Sequence, residues 1–75
     1  MRLDQYDLDI LESSAADTDR KGTWRPWRGS YQRARNLMAN GYLKEAGTCA
    51  MPPHVLYVIT DFGRQQLADK NGDRT

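Results

Sequence analysis

Between Arg20 and Arg35 lie six of the chain's eleven basic residues, Arg20, Lys21, Arg25, Arg28, Arg33 and Arg35, with no acid among them. From Ser30 onward the residue types are those that recognise nucleic acid. At about 100° per residue along a helix, Tyr31, Ala34, Leu37 and Met38 share one face with Gly41. The opposite face carries Gln32, Arg33, Asn36 and Asn40, with Arg35 at its border. Arginine forms paired hydrogen bonds with guanine, and Asn or Gln does the same with adenine. A helix N-terminus at Ser30 would add amides that favour a phosphate. A face that needed only water could use Glu, and this one contains none.

Two tryptophans interrupt the basic run. Trp24 and Trp27 can anchor a small core, stack on unpaired bases or contact a partner protein, since Trp and Arg are favoured in interaction hot spots. We expect at least one of them in the core. The basic residues also have a plainer outlet in the protein's own acids. Residues 1–19 hold Arg2 against Asp4, Asp7, Asp9, Glu12, Asp17 and Asp19, so charge is polarised along the chain.

Other chemistry finds little support. Cys49 stands alone, which excludes an internal disulfide or a cysteine-based zinc site. His54 has no second histidine or cysteine pair for a metal, and Asp7 and Glu12 form no evident acid–base pair. The glycines at 22, 29, 41 and 47 are isolated and build no phosphate loop. No catalytic residue, metal site or cofactor is expected. The longest apolar run, Val55 to Ile59, is far short of the roughly 20 residues that cross a bilayer. The first residues have no apolar signal segment, so a cytoplasmic, non-membrane protein is expected.

Seventy-five residues, 39% of them hydrophobic, allow one small core. Leu3, Tyr6 and Ile10 mark a helix from Leu3 to about Ser14, followed by a loop through "AADTDRKGT". Pro26 permits at most a short helix near residues 24–29. Ser30 should cap the next helix, which Gly41 stops. "YLKEA" and the β-branched "HVLYVIT" predict two strands around a "GTCAMPP" loop. Thr60 should cap a closing helix with Phe62, Leu67 and Ala68 as apolar contacts, and "KNGDRT" is expected to fray. This is one domain over residues 1–70, with 71–75 as a flexible tail.

The order of these elements resembles a winged helix-turn-helix domain. "LDQYDLDIL" is similar to the first helix of leucine-responsive-type regulators. "SYQRARNLMANGYLKE" resembles a recognition helix leading into a wing strand, and "YVITDFGRQQL" resembles the closing text of many bacterial winged helices. The resemblance covers most of residues 3–68. It implies an α+β fold with three N-terminal helices, the second short, a two-stranded wing hairpin and a C-terminal helix. It also places Arg20, Lys21, Arg25 and Arg28 where such domains contact the phosphate backbone, with the acidic first helix turned away from the nucleic acid. Two departures stand out. Only residues 15–29 are available for a second helix, and the wing contains no Lys or Arg.

The expected function is duplex-DNA binding by a small bacterial or phage regulator or accessory factor. Helix 30–41 would read bases, and residues 20–35 would hold phosphates. The competing expectation is a protein-interaction module or phage-encoded inhibitor, contacting its partner through Trp24, Trp27, Met51 and Pro52. A homodimer could form on Leu8, Leu11 and Ala15, a second apolar stripe of the first helix.

Overall fold

The computed structural model describes residues 2–49 and 54–72. Helix α1 spans Gln5–Asp19 and begins at a capping box. The Asp7 N–H donates to Asp4 Oδ1 at 2.9 Å, and the Asp4 N–H donates back to Asp7 Oδ2 at 3.3 Å. The helix runs five residues beyond the expected Ser14, through residues assigned to a loop by their composition. Within it, the Ser14 and Thr18 hydroxyls donate to the carbonyls of Ile10 and Ser14 at 2.8 and 2.7 Å. Thr18 Oγ1 also accepts from the Ile59 N–H at 3.2 Å. Tertiary partners thus hold the end of the helix, where Asp17, Thr18 and Asp19, weak helix formers, follow two alanines.

The end of α1 is unusual. The Gly22 N–H donates to the Asp17 carbonyl and the Lys21 N–H to that of Thr18, both at 2.9 Å. This is a Schellman closure, and the left-handed position falls on Lys21 at φ 62° rather than on the glycine after it.

Residues 22–30 form no helix. The expected short helix at 24–29 is replaced by an extended segment joined to the sheet at Trp24. The Trp24 N–H donates to the Tyr57 carbonyl at 2.7 Å, and the Tyr57 N–H returns the bond at 2.9 Å. A turn follows in which the Ser30 N–H donates to the Trp27 carbonyl at 2.9 Å and Gly29 takes φ +88°. Proline 26 has no N–H to donate, and the buried Trp24 side chain is more stable against the sheet than in a single helical turn. The described chain therefore has three helices where the resemblance implies four.

Helix α2, Tyr31–Ala39, ends as the sequence predicts. Gly41 adopts φ +87°, and the Tyr42 N–H reaches back to the Leu37 carbonyl at 2.9 Å. Strands β1, Leu43–Cys49, and β2, His54–Ile59, pair antiparallel from Leu43 opposite Ile59 to Cys49 opposite His54. Residues 47–49, expected in a loop, belong to β1. A bulge between Glu45 and Gly47, with Gly47 at φ +139°, lets the ladder continue past the glycine.

Helix α3, Asp61–Gly72, starts at Thr60, whose Oγ1 accepts the Gly63 N–H at 3.0 Å and donates to the Gly41 carbonyl. Gly63 lies so close to Tyr42 that a Cβ there would stand 2.3 Å from the Tyr42 carbonyl oxygen. Phe62 stacks on Tyr42 at 4.8 Å but stays half exposed, and Ala68 is exposed rather than packed. The helix continues through residues 71 and 72 of the expected tail; residues 73–75 lie outside the described residues.

The core unites Ile10 and Leu11 of α1, Trp24, Ala34 and Leu37 of α2, Tyr42, and Leu43, Tyr57 and Ile59 of the hairpin. Leu11 is fully buried, and Leu8 and Ala15 are half-buried against it, so the second apolar stripe of α1 packs inward. Burial pushes the Tyr57 hydroxyl above its usual range, aided by Glu45 and opposed by Arg35. Over the described residues the structure is thus α+β, with three helices and a two-stranded antiparallel hairpin. Among the described residues, no helix is long and apolar enough to cross a membrane.

Candidate nucleic-acid interface

The basic residues of 20–35 divide into two groups. Arg33 turns inward to α1. Its Nη1 donates to Asp4 Oδ2 at 2.9 Å and to Asp7 Oδ1 at 3.2 Å, and its guanidinium lies 4.6 Å from the Tyr6 ring centroid. These hydrogen bonds, that to Asp4 foremost, raise the Arg33 pKa above its ordinary value. Asp4 is held below the usual carboxylate range, first by the Asp7 backbone N–H and then by Arg33. Arg33 is therefore not on the open face with Gln32 and Asn36, as its helical angle predicts. The first turn of α1 lies beside the first turn of α2 and claims it. For the same reason the acidic helix does not face wholly away from the basic segment.

Arg20, at the end of α1, pairs with Asp17. Asp19 pairs with Arg64 of α3 at 2.8 Å. Lys21, Arg25, Arg28 and Arg35 are exposed and have no ion pair among the described residues. Within residues 20–35, those four are the positive charges left for an outside partner.

On α2, Gln32, Asn36 and Asn40 are exposed beside Arg35. The Gln32 amide donates to Asn36 Oδ1 at 3.1 Å, and the Asn40 amide donates to the Asn36 carbonyl at 2.8 Å. This short amide row lies in water, where such contacts exchange readily for others. The Ser30 side chain faces inward, away from any phosphate at the start of α2. It is fully buried, makes no side-chain cap, and gives its hydroxyl to the Trp27 carbonyl at 2.7 Å.

The two tryptophans separate as well. Trp24 is 2% exposed and belongs to the core, so its ring is not free to stack on bases. Trp27 is 40% exposed and is braced edge-on by Trp24 at 5.5 Å and Tyr6 at 6.4 Å. Met51 and Pro52 lie outside the described residues. The clasp of Asp4, Tyr6 and Asp7 on Arg33 was missed in the sequence. The spacing of Asp4 and Asp7 does signal a capping box, but no local pattern shows which distant arginine the box would hold.

Comparison with family models, with curated proteins and with solved structures gives no match for this chain.

Proposed function

We propose that this chain is a small winged-helix-like protein that binds duplex DNA, acting as a transcriptional regulator or accessory factor. In this reading the outward side of α2 enters the major groove with Gln32, Arg35, Asn36 and Asn40. Lys21, Arg25 and Arg28 meet phosphates on either side, with Arg20 adding charge at the margin. The observation that carries the reading is the charge census. The acids of α1 that make ion pairs are met by Arg20, Arg33 and Arg64, so four cations of the basic run have no ion pair among the described residues. Internal pairing thus does not account for the run as a whole. The two-stranded hairpin directly after α2, and Trp24 added beside β2, agree with a winged-helix layout in which a bridging strand takes the place of a second helix.

The test is fluorescence anisotropy of random-sequence duplex DNA across a salt series. Wild-type affinity should fall steeply with salt. The Arg25→Ala, Arg28→Ala, Arg35→Ala triple variant should lower the log–log slope by about 0.9 for each phosphate contact removed. Absence of binding at low salt would reject the reading, because non-specific affinity is the minimum for a duplex reader.

A further inference from the structure

The chain has a groove of about 380 Å³ on its surface, away from the outward face of α2. One wall is Ser13, Ala16, Asp17 and Arg20. Their spacing of three, four and seven places them on a single face of α1. The other wall is the extended segment, with Thr23, Trp24, Arg25 and Trp27.

That second wall is a strand edge. Trp24 gives its N–H and carbonyl to Tyr57. Backbone groups of an extended chain alternate sides, so those of Thr23 and Arg25 point away from β2. They have no hydrogen-bond partner among the described residues. Pro26 ends the edge, since it lacks an N–H. Natural sheets usually cover or blunt an open edge. Here a helix stands opposite it across open space, and the middle of that helix face is the small, exposed Ala16. The buried Trp24 indole N–H in the same wall also lacks an acceptor among the described residues.

Charge narrows the occupant. Arg20 already meets Asp17, whereas Arg25 is exposed without a counter-ion among the described residues. The groove therefore carries one uncompensated positive charge, with the half-exposed Trp27 ring at its end.

We propose that this groove receives an extended peptide of a partner protein, which adds as a short strand along residues 23–25. The peptide's backbone exchanges hydrogen bonds with Thr23 and Arg25. One acidic side chain meets Arg25, and an apolar side chain packs on Trp27. Such edge addition draws affinity from main-chain bonds and specificity from the flanking side chains. A base pair stack is far too wide for this space, so the groove and the duplex-facing side of α2 are separate surfaces that meet at Arg20 and Arg25.

The experiment is selection of a phage-displayed library of random linear dodecapeptides on the full chain, followed by affinity measurement of the enriched peptides. Ala16→Trp fills the groove from an exposed helix position, and Arg25→Glu reverses its free charge; circular dichroism establishes that both variants are folded. The expected result is enrichment of peptides with an acid next to apolar residues. Each variant should weaken them at least tenfold, and amide shifts on titration should centre on Thr23 to Arg25. Failure to enrich any sequence overturns the proposal, as does equal binding to wild type and Ala16→Trp, or shifts centred elsewhere. Ala16→Trp should leave duplex affinity unchanged. Loss of the DNA reading and loss of this one are therefore told apart by the same variant.

Discussion

Arg33 and Arg35 stand two residues apart on one helix, in one basic run, and have opposite situations. Arg33 is clasped by Asp4, Asp7 and the Tyr6 ring, whereas Arg35 is exposed with no ion pair among the described residues. Trp24 and Trp27 repeat the contrast three residues apart, one in the core and one half exposed. The molecule thus has a closed side and an open side. On the closed side α1 meets the start of α2, the hairpin and α3 through paired charges and buried apolar groups. On the open side, Lys21, Arg25, Arg28 and Arg35 are exposed cations with no ion pair among the described residues. Pairing here follows from which surfaces touch, since an arginine and a tryptophan of the same short run stand on each side.

The sharpest way to break this contrast is to truncate both tryptophans separately. Trp24→Ala should cost about 3–5 kcal/mol in urea unfolding, as expected for a large side chain fully removed from a core. Trp27→Ala should cost about 1 kcal/mol, because much of its ring already faces water. Equal losses would mean that the strap from 22 to 30 is a uniform part of the core.

Gly63→Ala tests the closed side next. Its Cβ would collide with the Tyr42 backbone and would also crowd the Ile59 side chain at 2.9 Å, so a loss of about 1–3 kcal/mol is expected. An unchanged denaturation midpoint would show that α3 is not held tightly to Tyr42.

A smaller effect separates the two arginines. Arg33→Ala should lower the unfolding midpoint, since it leaves the buried Asp7 carboxylate without its cation. Arg35→Ala should leave stability within about 0.5 kcal/mol and act on DNA affinity instead. The clasp also has a pH signature. Asp4 titrates below its ordinary 3.8 in the folded chain, so its carboxylate stabilises the fold above about that pH. The contribution is lost as pH falls through the depressed folded value. Asp4→Asn should therefore flatten the stability profile below about pH 4, and an unaltered acid limb would remove Asp4 from the clasp.

The smallest change expected is a gain. Lys21 occupies the left-handed position that glycine fills without strain, so Lys21→Gly should stabilise the chain by about 0.5–1 kcal/mol. The same variant should weaken duplex binding slightly if Lys21 meets a phosphate, which makes stability and affinity move in opposite directions.

Much of the fold was legible locally. The Gly41 stop, the Thr60 cap, the second strand and the inward period of Ala34 and Leu37 each depend on a few neighbouring residues and are found where the sequence places them, whereas the first strand runs on through residues 47–49. The misreadings fall where distant groups decide. The loop expected after Ser14 is helical because Ile59 and Arg64 give its polar residues partners. The helix expected at 24–29 is a strand-like strap because Tyr57 offers Trp24 both backbone bonds. Gly22 sits one place after the left-handed residue, so the end of α1 could not be located from the glycine alone.

For the candidate interface the division is similar. By itself the sequence determined which residue types gather between Arg20 and Asn40, that they include no acid through Arg35, and that one side of the helix from Tyr31 is apolar. These are properties of order and period, which no distant contact alters. Only the tertiary structure decided which of those residues are free. It folded Arg33 against α1, buried Ser30 and Trp24, and left Lys21, Arg25, Arg28 and Arg35 open. The physical reason is that a charge or a hydroxyl is settled by whatever partner lies within hydrogen-bond reach, and that distance is set by how the helices pack.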